Sequence, residues 1–76
     1  MHKWGRITFD ARTMGGKPCL RGLRVTVGAI VGLVASKYTD EEILEAYPYL
    51  EAEDIRAALE YAAWRSAEAE VPLEAA

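Results

Sequence analysis

The sequence predicts a mainly α fold: short N-terminal β strands or a hairpin, then three helices, the last two in the outline of a helix-turn-helix. Three observations carry this reading. Apolar and polar residues alternate along Arg6-Ile7-Thr8-Phe9-Asp10, the period of a half-buried strand. From Thr26 the apolar period changes to that of a helix. The tetrapeptide Thr39-Asp40-Glu41-Glu42 is a capping box, and Pro48 closes the short helix that it opens.

Strands are expected over about 6–10, 18–20 and 23–25. In the first, Ile7 and Phe9 share the inward side. Ala11 to Gly16 reads as a turn, with Gly15 and Gly16 free to take positive φ. Pro18 suits the first residue of the second strand, and Arg21-Gly22 makes the turn into the third. Helices are expected over about 27–37, 40–47 and 52–65. The first is capped by Thr26 and buries Val27, Ile30, Val31, Val34, Ala35 and Tyr38. The second buries Ile43, Leu44 and Tyr47. The third starts near Ala52, with Glu51, Glu53 and Asp54 complementing its dipole, and buries Ile55, Ala58, Leu59, Ala62 and Ala63. Residues 66–76 lose periodicity and contain Pro72, so they read as a flexible or partner-ordered tail after a single domain over 1–65.

At 76 residues the chain is one small domain. Such a chain buries only about 60% of its unfolded surface. A single core of that size supplies only ~3–5 kcal/mol, which points to self-association, here a homodimer, or to a partner chain for further stability. One cysteine forms no internal disulfide, and His2 with Cys19 is too small a set for structural zinc, so neither a metal nor a cofactor is expected. No apolar run approaches the ~20 residues that span a bilayer. The opening Met1-His2-Lys3-Trp4 stretch lacks the core of a signal peptide, so the expected location is cytoplasmic, without membrane contact. Asparagine and glutamine are absent and arginine outnumbers lysine, as in a thermophile or a GC-rich genome.

The net charge of −3 conceals a division. Residues 1–37 carry a formal +6 and residues 38–76 a formal −9. That polarity suits two surfaces with different tasks, or one protomer's basic half meeting another's acidic half.

Catalytic readings find no support in the residues. Gly16-Lys17 is followed by Pro18, which has no amide hydrogen, where a nucleotide-binding loop needs Ser or Thr opening a helix. Cys19 has no base near in sequence and reads as a small apolar residue. The carboxylates of the second helix are accounted for by capping and solubility. An enzyme is therefore not expected. The aromatic residues Tyr49, Tyr61 and Trp64 lie partly off the core stripe and form either a protein-binding patch or ordinary packing. Arg6, Arg12, Lys17, Arg21 and Arg24 cluster on the β region, where they face a nucleic acid backbone, a partner's acidic surface or water. Against base reading by the third helix stand Glu51, Glu53 and Asp54 in its first turn, with Arg56 the one cation beside them.

Gly16-Lys17-Pro18, Gly22 and Arg24 before Val25-Thr26, Glu41-Glu42-Ile43, Tyr47 to Leu50, and Asp54-Ile55 onward to Ala62 occur in an order that resembles domain-of-unknown-function family 433. The match covers about Ile7 to Ala63. The resemblance implies a homeodomain-like helix-turn-helix with an N-terminal β element. It also implies a VapB-type antitoxin that binds a PIN-like ribonuclease toxin and represses its own operon, typically as a dimer. On that expectation Arg12, Lys17, Arg21 and Arg24 contact phosphate and Arg56 meets a base edge, while Tyr49, Tyr61, Trp64, Val71 and Leu73 bind the partner. The alternative is an interaction or dimerisation module without DNA binding. Two departures stand out: Lys37-Tyr38 replaces the glycine common before the second helix, and Glu51 replaces the small cap before the third.

Overall fold

The computed structural model describes residues 5–69. They form a short two-stranded antiparallel hairpin followed by three helices. Strand β1 is Ile7–Thr8 and β2 is Cys19–Leu20, in register Ile7 opposite Leu20 and Thr8 opposite Cys19. Helices α1, α2 and α3 are Val27–Ala35, Asp40–Ala46 and Ala52–Ala69. The chain is mainly helical, as its periodicity predicts.

The β region is more irregular than simple alternation suggests. β1 ends at Thr8, so Phe9 leaves the ladder and is 57% exposed instead of facing inward with Ile7. A 3-10 turn at Met14–Gly16 fills part of the connection. The expected strand at 23–25 is reduced to a single bridge between Cys19 and Thr26. The reason lies in the turn before it. Arg21 and Gly22 both take positive φ, 47° and 73°, and Leu23 N–H donates to Leu20 C=O at 2.8 Å. Those are the dihedrals of a tight hairpin turn, but Leu20 N–H then bonds Val25 C=O at 3.0 Å instead of Leu23 C=O, so the pairing slips past the turn and only the one bridge forms.

Each helix is delimited as its capping residues dictate. Thr26 Oγ1 accepts from Ala29 N–H at 3.0 Å and starts α1. The capping box of α2 is complete: Glu42 N–H donates to Thr39 Oγ1 at 3.1 Å, and Thr39 N–H donates to Glu42 Oε1 at 2.8 Å. Between them α1 closes in a Schellman motif, with Tyr38 N–H on Leu33 C=O and Lys37 N–H on Val34 C=O. Lys37 holds the left-handed position of that motif at φ 72°. α1 therefore ends at Ala35 and Tyr38, expected on its buried stripe, is 50% exposed. α2 stops at Ala46, one residue before Tyr47, which precedes Pro48. α3 extends to Ala69, beyond the expected end at 65, into residues read as tail.

The core joins both halves. Ile7, Leu20, Val25, Val27, Ile30, Ile43, Leu50, Ile55, Ala58 and Tyr61 are all buried together, with α3 packed chiefly on α1. Leu59 and Ala63, expected on the buried stripe of α3, lie at the surface. The stripe is narrower than periodicity alone suggests because Ile55, Ala58 and Tyr61 carry the contact. Cys19 is buried and its thiol donates to Lys17 C=O at 3.3 Å.

Candidate functional site

The register of the hairpin sorts the five cations expected to meet DNA. Arg12 and Lys17 lie in the β1–β2 connection at one end, whereas Arg21 and Arg24 lie in the turn after β2 at the other. Arg56 is on α3, exposed, and pairs with Glu60 one turn on at 3.4 Å. Arg12 projects into solvent with its side chain 90% exposed, loosely paired with Asp10 at 3.3 Å. Asp10 accepts Arg12 N–H at 2.9 Å, and that bond together with the guanidinium holds its carboxyl below the ordinary range. Lys17 and Arg24 are exposed.

Arg21 is held in place. Its guanidinium, about one-third exposed, grips Asp54, with Nη2 donating to Oδ2 at 2.8 Å and Nε to Oδ1 at 2.9 Å. Nη2 also donates to Tyr49 C=O at 3.0 Å. Arg6 joins from β1's N-terminal side, its Nη1 donating to Asp54 Oδ1 at 2.8 Å and to Glu51 Oε1 at 2.9 Å. Glu51 N–H completes the shell of Asp54 on Oδ2 at 2.8 Å. Asp54 thus performs the back-bonding half of a capping box at the start of α3 while pairing with two arginines, one of which Glu51 and Glu53 share. Burial pushes its carboxyl up, but hydrogen bonds from Arg21, from the Glu51 amide and from Arg6 win, and its pKa falls to about 2. The same bonds, from Asp54 first, raise both guanidinium pKa values. Asp54 is fully buried, and a buried carboxylate survives only when paired in this way.

Two further surfaces stand out. An open groove of about 350 Å³ runs between the start of α2 and α3, floored by Ile55, Leu59 and Ala52 and edged by Asp40, Glu53 and Arg56. Near the other end of α3, the Tyr61 ring lies 6.1 Å from Phe9 and 5.9 Å from Trp64. Of the aromatic residues expected to meet a partner, Tyr61 is 8% exposed and belongs to the core, whereas Tyr49 and Trp64 are 55% and 39% exposed. Tyr61 is inside because it projects from the same face of α3 as Ala58, one turn earlier. Tyr49 stacks edge-on against Tyr47 at 6.2 Å, at the opposite end of α3 from Trp64. The three aromatics therefore do not form one exposed patch. Val71 and Leu73 lie outside the described residues.

Sequence reasoning missed Asp54 as the partner of Arg21, and Arg6 as the second arginine on the same carboxylate. A visible signal existed, since Asp54 stands three residues after Glu51 at a helix start, the spacing at which a carboxylate reaches back to the cap. Among the described residues no helix is long and apolar enough to cross a membrane.

These features define a class: a small, mainly helical domain whose N-terminal hairpin is fastened to its third helix by a buried carboxylate and two arginines. The chain belongs to the family described as "Protein of unknown function (DUF433)", whose profile matches residues 7–62. It is 43% identical over 56 residues to "Uncharacterized protein y4eO" of Sinorhizobium fredii (strain NBRC 101917 / NGR234). The aligned stretch is 74% of this chain and 25% of that protein, so the chain spans about a quarter of its relative's length. No solved structure matches the chain significantly.

Proposed function

We propose that the domain is a non-enzymatic protein-binding module of the antitoxin kind, in which α2 and α3 form a homeodomain-like helix-turn-helix pair turned to partner recognition. The observation that carries this is the groove between α2 and α3, with its apolar floor at Ile55 and Leu59 and carboxylates Asp40 and Glu53 on its edge. A helix-turn-helix protein uses this region to read bases. Carboxylates there repel phosphate and attract a basic partner. The exposed Glu41, Glu45 and Glu60 extend the same sign of charge along both helices. The partner is a protein with a basic surface bearing an apolar anchor, for which a PIN-like ribonuclease toxin is the leading candidate.

Co-expression with the product of the neighbouring gene, followed by mass measurement, tests the proposal. The expected result is a complex that Leu59→Arg abolishes without loss of helical signal, because Leu59 already touches water. Persistence of the complex in Leu59→Arg rules out the groove.

Autorepression on DNA is a second reading, favoured by the exposed Arg12, Lys17 and Arg24, which are not held by Asp54. Three cations in each protomer of a dimer give log affinity a slope against log salt of roughly −5. A promoter fragment that stays unbound at low salt removes this second reading and leaves the first intact.

A further inference from the structure

We propose that the α2–α3 groove takes one amphipathic helix of the partner, with a cation of that helix at Glu53, and that Arg6 is the protein's own competitor for this carboxylate. The proposal rests on the groove reading above and names the occupant. The space is about 350 Å³. Clefts that hold small ligands start at about 300 Å³, so it admits a few side chains and not a folded surface. Both walls are helices with their amides bonded internally, so an extended peptide finds no strand edge to pair with. A helix brings its own backbone bonds and needs only the apolar floor that Ala52, Ile55 and Leu59 supply.

Charge sets the flank of that helix. Of the charged residues that line the groove, Arg56 pairs with Glu60 at 3.4 Å, and Asp40 makes no ion pair among the described residues. Glu53 has only a share of Arg6, whose Nη2 donates to its Oε1 at 3.4 Å while Nη1 serves Asp54 at 2.8 Å and Glu51 at 2.9 Å. An arginine or lysine beside the apolar side of a partner helix therefore meets a rim short of positive charge. Arg6 ties this rim to the hairpin, because its backbone C=O accepts from Arg21 N–H at 2.8 Å. Its contact with Glu53 is the longest of its three carboxylate contacts, and the Glu53 side chain is 75% exposed. A cation from outside displaces that contact and leaves the Asp54 clamp intact. In the free protein Arg6 accordingly weakens the pull of the groove on a basic helix.

Fluorescence anisotropy with three labelled synthetic peptides tests this. The first is an amphipathic helix with leucines along one side and arginines beside them, the second has prolines in the middle of the same sequence, and the third carries glutamate for each arginine. The first should bind, and the other two should bind roughly tenfold more weakly or worse. Leu59→Arg should abolish binding of the first, and Asp40→Asn and Glu53→Gln should each weaken it. Arg6→Gln should tighten it by about two- to fivefold, a direction that partial unfolding does not produce. Arg6→Lys keeps a cation for Asp54 but loses the forked reach to Glu53, so it should act in the same direction even where the Gln variant folds poorly. In the Glu53→Gln background neither Arg6 change should matter, which separates competition at that carboxylate from a general loss of positive charge. A proline peptide that binds as well as the helix overturns the helical occupant, and an acidic peptide that does so overturns the selection by charge. Arg6→Lys with the parent's affinity or less overturns the competition. A co-expressed complex that Leu59→Arg breaks, from a groove that takes none of the peptides, overturns the helix and leaves the partner reading standing, whereas a complex that survives Leu59→Arg removes the groove itself.

Discussion

Asp54 is a carboxylate with no exposed surface, two arginines on its oxygens and a backbone amide behind it. Its folded pKa of about 2 lies below the ordinary 3.8, so its contribution is fully present above about pH 4 and is lost as pH falls through 2. A shift of that size corresponds to about 2 kcal/mol. Asp54→Asn should therefore cost about 3 kcal/mol at neutral pH, since Arg6 and Arg21 then lose a charged partner in a confined site. The same variant should lose most of the parent's fall in stability between pH 4 and pH 2. Urea denaturation at pH 7 and pH 3 measures both, and an unchanged midpoint at pH 7 contradicts the assignment. In the sequence Arg21 reads as an unpaired cation because no residue within ten of it is acidic, and only folding brings Asp54 to it. Ion pairs across 33 residues leave no local trace in a sequence.

At the scale of elements, boundaries set by side-chain caps were legible and those set by backbone reversal were not. Thr26 and Thr39 start α1 and α2 where their hydroxyls demand it, and Pro48 closes the second. Lys37 is the informative misfit. It occupies the left-handed residue between α1 and α2, where glycine is usual and a side chain costs about 1 kcal/mol. Lys37→Gly should raise stability by about that amount, read as a higher urea midpoint with the same slope. A lowered midpoint would mean that the Lys37 side chain holds something the backbone geometry does not require. The lost strand at 23–25 has the opposite origin. Arg21 and Gly22 adopt consecutive left-handed dihedrals, whose cost for an arginine is offset by the turn's backbone hydrogen bonds and by the clamp on Asp54.

For the molecule as a whole, the small core leaves little reserve. Ile43 is fully buried where α2 meets the rest of the core. Ile43→Ala should cost about 3 kcal/mol, comparable with the whole stability of a domain this size. The expected result is loss of a sigmoidal thermal transition in near-ultraviolet circular dichroism. A variant that still melts cooperatively near the parent temperature would show a larger reserve, such as that supplied by a second copy. The division of charge along the chain also takes on a structural meaning. Part of the basic half is consumed internally by the acidic half, through Arg6 and Arg21 on Glu51 and Asp54. The pairs remove equal numbers of both signs, so the net charge of −3 is unchanged and fewer cations are left unpaired.

The sequence by itself determined the helical content, the order of elements, the caps and most of the core, because those follow from residue type and from periods of a few residues. It also carried the family, through short motifs in a fixed order. Tertiary structure alone decided which cations remain available and which aromatics face out. Those outcomes depend on which residues distant in sequence meet. Burial and ion pairing are properties of that meeting, and no single stretch of chain encodes them.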